Sequence, residues 1–177
     1  VTDSKGRPLG AETAFQAQSV VHYYRALEQE TPIPFEERIL FQDDFIIAVD
    51  KPHFLPVMPA GKYLQETLLV RLKRKTGIDA LTPMHRLDRE TAGVMLFVIK
   101  PETRGAYQSM FMHKRVQKKY LAIAPYLEQL PFPVTRKSRL QASEHFMRMQ
   151  EVTGAPNSET HIELIEHRNG LGRYALR

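Results

Sequence analysis

The stretch PMHRLDRETAGVMLFV, residues 83–98, decides the fold, because a polar loop runs directly into an apolar strand there. Residues 93–100, GVMLFVIK, are almost continuously apolar, which predicts a buried strand. In the loop before it, Arg86 and Arg89 flank the carboxylate of Asp88. An arginine that reaches a carboxylate lowers its pKa, so Asp88 would be ionised at neutral pH and able to act as a nucleophile or base. The alternative is a plain surface ion pair that pins the loop.

The rest of the chain is rich in strand and hairpin signals. Its predicted elements are a strand over 19–27, a hairpin over 38–51, helices over 62–76 (with Gly77 just after the first) and 101–115, a strand over 116–126, an exposed basic arm over 130–141 and a hairpin over 160–177. Strands outnumber helices, and hairpins join many of them. We therefore predict an α+β fold with a mixed, mostly antiparallel central sheet and flanking helices.

Composition narrows the classes of function. The chain has no cysteine, which excludes disulfides, thiolate nucleophiles and zinc sites with cysteine ligands. Its 25 Lys and Arg against 20 Asp and Glu give a formal net charge of +5, a mild lean toward a polyanionic partner. No apolar run approaches the roughly 20 residues that cross a bilayer. We expect a cytoplasmic monomer with no membrane partner.

Three segments carry a resemblance to a known family. His85-Arg86-Leu87-Asp88-Arg89-Glu90-Thr91-Ala92-Gly93 closely resembles the central motif H-R-L-D-x-x-T-S-G of the RluA-type pseudouridine synthases, with Ala92 in place of Ser. Val49-Asp50-Lys51-Pro52 is similar to the family's upstream N/D-K-P segment, although His53-Phe54 replaces the usual Gly. Lys118-Lys119-Tyr120-Leu121-Ala122 is similar to its K-x-Y-L-A strand. The resemblance covers roughly residues 37–177.

The resemblance implies an RNA pseudouridine synthase, an isomerase that needs neither cofactor nor metal. It implies that Asp88 is the catalytic carboxylate, acting either as a nucleophile or as a base. Arg86 would fill the space left by a flipped nucleotide, Tyr120 would stack on the flipped uracil, and Arg89 would bind RNA or brace Asp88. His85, Thr91 and Gly93 would support the loop. The RNA partner would be ribosomal or transfer RNA.

The resemblance also predicts the domain organisation. Residues 1–35 are an N-terminal segment resembling a remnant of a small RNA-binding domain of the S4 kind, and residues 36–177 are the catalytic domain. A later family motif resembling T-G-R-x-H-Q-L-R-V-H does not occur, so the catalytic domain is expected to be incomplete at its C-terminal end and the isolated chain to be inactive. The family's basic partner of the catalytic aspartate would then lie beyond the sequence.

Two other functions compete with this one. A non-catalytic RNA-binding module on the same fold would use the cluster for phosphate contacts only. A hydrolase that used Asp88 would need a partner base or nucleophile, and the sequence offers no candidate.

Overall fold

The hairpin predicted over residues 38–51 forms half of a four-stranded antiparallel sheet in the computed structural model, which describes residues 1–23, 27, 29–145 and 148–177. Its strands, in chain order, are β3 (Arg38–Gln42), β4 (Ile46–Lys51), β5 (Thr82–Pro83) and β6 (Gly93–Val98), and their order in the sheet is β3-β4-β6-β5. The central strands β4 and β6 pair along their whole length, from Ile46 opposite Val98 to Lys51 opposite Gly93.

The core of this sheet lies on one of its faces. Ile47 and Val49 of β4 and Met95 and Phe97 of β6 are completely buried. Helix α1 (Leu68–Thr76) adds its own buried residues, Leu68 and Leu72, to the same cluster. The strand predicted over 93–100 is therefore confirmed, but Val94 is 54% exposed, because β6 alternates between a buried and an open face.

Helix α1 begins later than the helix predicted over residues 62–76 and ends at the predicted residue, before Gly77. The carboxylate of Glu30 accepts hydrogen bonds from the backbone N–H groups of Leu64, Gln65 and Glu66, at 2.7 Å for Leu64 and for Glu66. This long-range contact holds residues 64–66 outside the helix, which begins after the N-cap Thr67 and ends before Gly77. The second predicted helix is confirmed as a 3₁₀ turn (Pro101–Thr103) followed by α2 (Arg104–Met112).

A separate five-stranded antiparallel sheet follows. Its strands are β7 (Tyr120–Pro125), β8 (Val134–Ala142), β9 (Met149–Val152), β10 (Ser158–Arg168) and β11 (Leu171–Leu176), in the order β7-β11-β10-β8-β9. The predicted hairpin over 160–177 is confirmed, and it turns at Asn169 and Gly170, whose φ angles are 52° and 73°. Asn-Gly suits such a two-residue turn because both residues tolerate positive φ.

The prediction of an arm over residues 130–141 is wrong, although its basic side chains are exposed as predicted. Residues 134–142 form β8, which lies between β10 and β9. Its basic side chains do face outward, but Arg136 pairs with Glu151 of β9 at 2.7 Å and Lys137 with Glu159 of β10 at 3.3 Å. The prolines at 131 and 133 precede the strand, where they do not interrupt its pairing.

The described residues form two compact units, Val1–Phe111 and Met112–Arg177, one around each of these sheets. The first unit also contains a two-stranded pair of β1 (Thr2–Asp3) and β2 (Val21–His22). The strand predicted over 19–27 is confirmed only at β2, and residues 24–26 of that prediction lie outside the described residues. No helix in the described part of the chain is both long and apolar enough to cross a membrane.

Every strand pair among the described residues is antiparallel, and helices accompany the sheets. The α+β prediction is confirmed.

Candidate active site

The loop that carries Asp88 connects β5 to β6. Asp88 is exposed, and its backbone carbonyl accepts a hydrogen bond from the Thr91 N–H at 3.1 Å, which closes a turn. Within the described residues, no side-chain hydrogen bond or ion pair within 4.0 Å engages the Asp88 carboxylate or the exposed Arg86 guanidinium. The Arg–Asp–Arg ion cluster that the sequence suggested is therefore not formed, and Asp88 is exposed to solvent.

Arg89 turns away from Asp88 and pairs with its neighbour Glu90. Its Nη2 and Nε atoms donate to Oε1 of Glu90 at 2.7 and 2.9 Å. This hydrogen-bonded guanidinium lowers the pKa of the Glu90 carboxyl. Glu90 is thus ionised at neutral pH and adds a second negative charge to the loop.

Lys51, at the end of β4, joins this loop to the sheet through a hydrogen bond to the Arg89 carbonyl. Its side chain is completely buried, and Nζ donates to the carbonyls of Leu55 at 2.9 Å, Pro52 at 3.1 Å and Arg89 at 3.2 Å. Burial lowers the pKa of Lys51 to about 8, while the negative charges of Glu90 and Asp88 act in the opposite direction. The Asp-Lys-Pro segment was the sequence signal for this residue, but it did not reveal which carbonyls the lysine would bind.

His85 supports the beginning of the loop. The Leu96 N–H of β6 donates to its Nε2 at 3.3 Å, and its ring stacks on Phe111 of α2 with centroids 4.8 Å apart. In this contact Nε2 is the acceptor, so the hydrogen bond is made by the lone pair of that nitrogen. These two contacts join the beginning of the loop to β6 and α2, and the supporting role of His85 stays a prediction.

Gly93 ends the loop, where the chain enters β6. Its φ of 134° is a conformation that L-residues with side chains rarely adopt, and a Cβ there would stand 4.0 Å from Cδ1 of Leu87. Together with the Thr91–Asp88 turn, this explains why small and turn-forming residues follow the carboxylate.

His53 supports the other side of the loop. Its Nδ1 lies 2.6 Å from the carbonyl oxygen of Glu90, and a carbonyl can only accept, so Nδ1 carries the hydrogen. The sequence analysis treated His53-Phe54 only as a departure from a family pattern and missed this contact. Nothing in the local sequence pairs residue 53 with residue 90.

Tyr120 is not on this loop but in the second unit, as the first residue of β7, where it pairs with Leu176 of β11. The residue is 39% exposed. The first unit thus brings together Asp88, Arg86, Arg89, His85, Thr91 and Gly93 of the predicted site, whereas Tyr120 belongs to the second. Among the described residues, no three His, Asp or Glu side chains are grouped as metal ligands would be.

The sequence model of the RNA pseudouridylate synthase family matches residues 44–176, about three quarters of the chain. This chain belongs to the RNA pseudouridylate synthase family. The family predicted from the loop motif is thereby confirmed, and the match includes the Asp88 loop, Lys51 and Tyr120.

Individual members of the family show the same relationship. The chain is 32% identical over 141 residues to tRNA pseudouridine synthase C of Haemophilus influenzae, covering 77% of this chain and 59% of that protein. It is 41% identical over 86 residues to tRNA pseudouridine synthase C of Pasteurella multocida, covering 48% of this chain and 35% of that one. The chain thus spans about three fifths or less of these relatives.

Solved structures agree with the fold. Human RNA pseudouridylate synthase domain containing 4 is similar with a TM-score of 0.59 at 25% identity, covering 78% of this chain and 57% of that one. Human RNA pseudouridylate synthase domain containing 1 gives a TM-score of 0.62 at 17% identity, covering 84% and 61%. The α+β architecture described above is therefore the fold of this family.

Proposed function

We propose that this chain carries the catalytic part of an RNA pseudouridine synthase, which isomerises a uridine of transfer or ribosomal RNA, with Asp88 as its catalytic carboxylate. The observation that supports this most is the open Asp88 carboxylate on a loop held in place by Lys51, His53 and His85. A reactive group must be accessible and its support must be rigid, and this loop combines the two.

The reaction needs no external donor. The N1–C1′ bond of the uridine breaks, the uracil turns, C5 bonds to C1′, the C5 proton is released and N1 takes up a proton. No electron is gained or lost overall. In this proposal the Asp88 carboxylate either attacks C1′ or removes a proton from the sugar, and either role requires the ionised form and an unobstructed approach.

Arg86 is proposed to stabilise the flipped state of the RNA. A uridine stacked in a helix is out of reach, so it must be extruded at a cost of a few kcal/mol. The exposed guanidinium of Arg86, two residues before Asp88, has no ion-pair partner among the described residues and is free to stack on bases or bind phosphate.

Arg89 and Tyr120 complete the proposed set. Arg89 already pairs with Glu90, so we assign it to phosphate contacts made over that pair. Tyr120 offers a partly exposed ring that would stack on the flipped uracil and a hydroxyl that would help remove the C5 proton. Since the names of two relatives specify tRNA, transfer RNA is the first substrate to test.

The experiment compares Asp88→Asn and Asp88→Ala with the parent, using protein expressed from its complete gene. Tritium release from RNA labelled at C5 of uridine measures the reaction, and filter binding measures RNA affinity. We expect the rate to fall at least about 100-fold, as for the loss of a catalytic acid or base, while affinity changes less than about threefold. Asp44→Asn, an exposed aspartate in the turn between β3 and β4, is the matched control and should leave both unchanged.

Full activity of Asp88→Asn would show that the catalytic assignment is wrong. RNA binding by the parent protein without pseudouridine formation on any transfer or ribosomal RNA would instead establish the non-catalytic binding module.

A further inference from the structure

An exposed group of aromatic rings lies beside the Asp88 loop, and its two phenylalanines have no role in the chemistry proposed above. We call Phe35, His53 and Phe54 the aromatic cluster. The rings of Phe35 and Phe54 have centroids 6.0 Å apart, and those of His53 and Phe54 are 5.9 Å apart. Phe54 is 50% exposed and Phe35 is 44% exposed, so both rings present surface to solvent.

The aromatic cluster is attached to the same loop as the catalytic carboxylate. His53 Nδ1 donates to the Glu90 carbonyl at 2.6 Å, and Glu90 is only two residues from Asp88. Two residues before His53, Lys51 donates to the Arg89 carbonyl at 3.2 Å. Any molecule that contacts the cluster therefore lies next to the loop on which the target uridine would bind.

The backbone at Phe54 points to a function for its ring. Its φ is 67°, in the left-handed region that favours glycine and is a rare conformation for a bulky residue. Burial does not account for a phenylalanine at this position, because half of the residue is exposed. Unfavourable backbone conformations of this kind are concentrated at ligand-binding and active sites.

Two arginines lie on the segments that contact the aromatic cluster. Arg86, three residues before Arg89, presents a guanidinium without an ion-pair partner among the described residues. Arg71 donates to the carbonyl of Phe35 at 2.7 Å, which fixes the backbone under that ring. An exposed aromatic face next to a loop that is proposed to bind RNA suits stacking with an unpaired nucleobase.

We propose that Phe54, supported by Phe35 and His53, stacks on an unpaired base adjacent to the target uridine in the substrate RNA. This inference rests on the proposed function for the identity of the partner, and it adds a binding site for a flanking nucleotide. Because every base has a π-face, the contact contributes affinity and register rather than base identity. It requires that the base beside the target be unpaired.

The test measures binding of 12-nucleotide single-stranded RNAs. Each contains one unmodified uridine and, next to it, one 5-iodouridine. Iodouridine cross-links under ultraviolet light to aromatic side chains that stack on it, and mass spectrometry identifies the peptide. We expect a cross-link at Phe54 and an affinity about tenfold lower for Phe54→Leu and Phe54→Gly, within the range for loss of one stacked base. Phe54→Tyr, which keeps a ring, should bind like the parent.

The control is Phe45→Leu. Phe45 is 41% exposed, lies at the opposite end of β4 and has a cation nearby, since Nζ of Lys100 stands 4.5 Å from its ring centroid. The affinity of Phe45→Leu for the RNA should stay within about twofold of that of the parent. Thermal unfolding of each variant checks folding, and Phe54→Gly relieves the left-handed backbone, so its melting temperature should be no lower than that of Phe54→Leu.

Binding is measured in an Asp88→Asn background, so that the result does not depend on turnover. Parent-like affinity of both Phe54→Leu and Phe54→Gly, or an equal loss in Phe45→Leu, would overturn the inference. If the parent protein, with Asp88 intact, releases tritium normally and the Phe54 variants bind RNA like the parent, only this inference fails. If the parent binds neither these oligonucleotides nor total transfer RNA, the proposed function fails with it.

Discussion

Lys51 is a buried cation whose free energy depends on three carbonyl acceptors and two nearby carboxylates. Transfer of an ammonium group from water is costly, and hydrogen bonds to the Pro52, Leu55 and Arg89 carbonyls offset part of that cost. The charges of Glu90 and Asp88 also favour its protonated form. The balance still leaves its pKa near 8, below the 10.5 of an unperturbed lysine.

This lowered pKa predicts that Lys51 makes the free energy of unfolding depend on pH. Between pH 8 and 10.5 the unfolded chain holds a proton on Lys51 that the folded chain has lost, so the contribution of Lys51 to the free energy of unfolding increases with pH. From pH 7 to pH 9, the parent should gain about 1 kcal/mol relative to Lys51→Met, whose side chain is similar in length but does not titrate.

Urea unfolding of the parent and Lys51→Met at the two pH values measures this difference, in which the titrations common to both proteins cancel. A difference that does not change with pH would show that Lys51 keeps an ordinary pKa in the folded protein. NMR titration of the lysine Cε carbons gives an independent reading of the same pKa.

At the scale of elements, two glycines in different backbone conformations are expected to affect stability in opposite directions when they are replaced by alanine. Gly77 ends α1 with φ of 70°, and its N–H donates to the Lys73 carbonyl at 2.8 Å. Gly105 lies inside α2 with no positive φ, and a Cβ there would meet open space. Left-handed backbone favours glycine, whereas a helix interior favours alanine.

Gly77→Ala should therefore lower the free energy of unfolding by about 1 kcal/mol, and Gly105→Ala should raise it by roughly 0.5–1 kcal/mol. Chemical denaturation of the two variants beside the parent tests both signs. Equal effects of the two substitutions would contradict the conformations described for these glycines.

At the scale of the whole molecule, the chain divides into its two units at Phe111 and Met112, at the end of α2. Residues 113–119, HKRVQKK, connect α2 to β7 without regular structure, and all of them except Val116 are exposed. Four of the seven are Lys or Arg, so the connection is both accessible and rich in tryptic sites. The two sheets on either side are protected by their own hydrogen bonds.

Limited trypsin treatment should cut first within residues 113–119 among all sites in the range 38–177, because cleavage requires an exposed segment without strand or helix pairing. Intact-mass spectrometry of early time points identifies the cut. Earlier cleavage inside β8 or β10 would show that the second sheet opens more readily than the connection.

Local sequence was sufficient for several elements. The hairpins at β3–β4 and β10–β11 combine strand-forming residues with short turns, Asp43-Asp44 and Asn169-Gly170, so both were predicted from adjacent residues. The strand β8 was not predicted, because the prolines that precede it and its many charged residues are more typical of a loop. Its pairing depends on residues 149–152 and 158–162, which no local pattern connects to it.

The candidate site divides in the same way. The motif around Asp88 was enough to predict the family, because its residue types and spacing are specific and contiguous. The expected ion cluster was not found, since the sequence places Arg89 beside Asp88 but only the folded loop turns its guanidinium to Glu90.

The sequence by itself determined the family, the α+β class and the position of the candidate carboxylate, since each of these is encoded in neighbouring residues. The tertiary structure alone decided that Lys51 is buried under the loop, that His53 reaches the Glu90 carbonyl and that two phenylalanine rings stand exposed beside it. The physical reason is that these contacts join residues 19 to 38 positions apart. Their formation depends on how β4 and β6 pair and on where the chain leaves each strand.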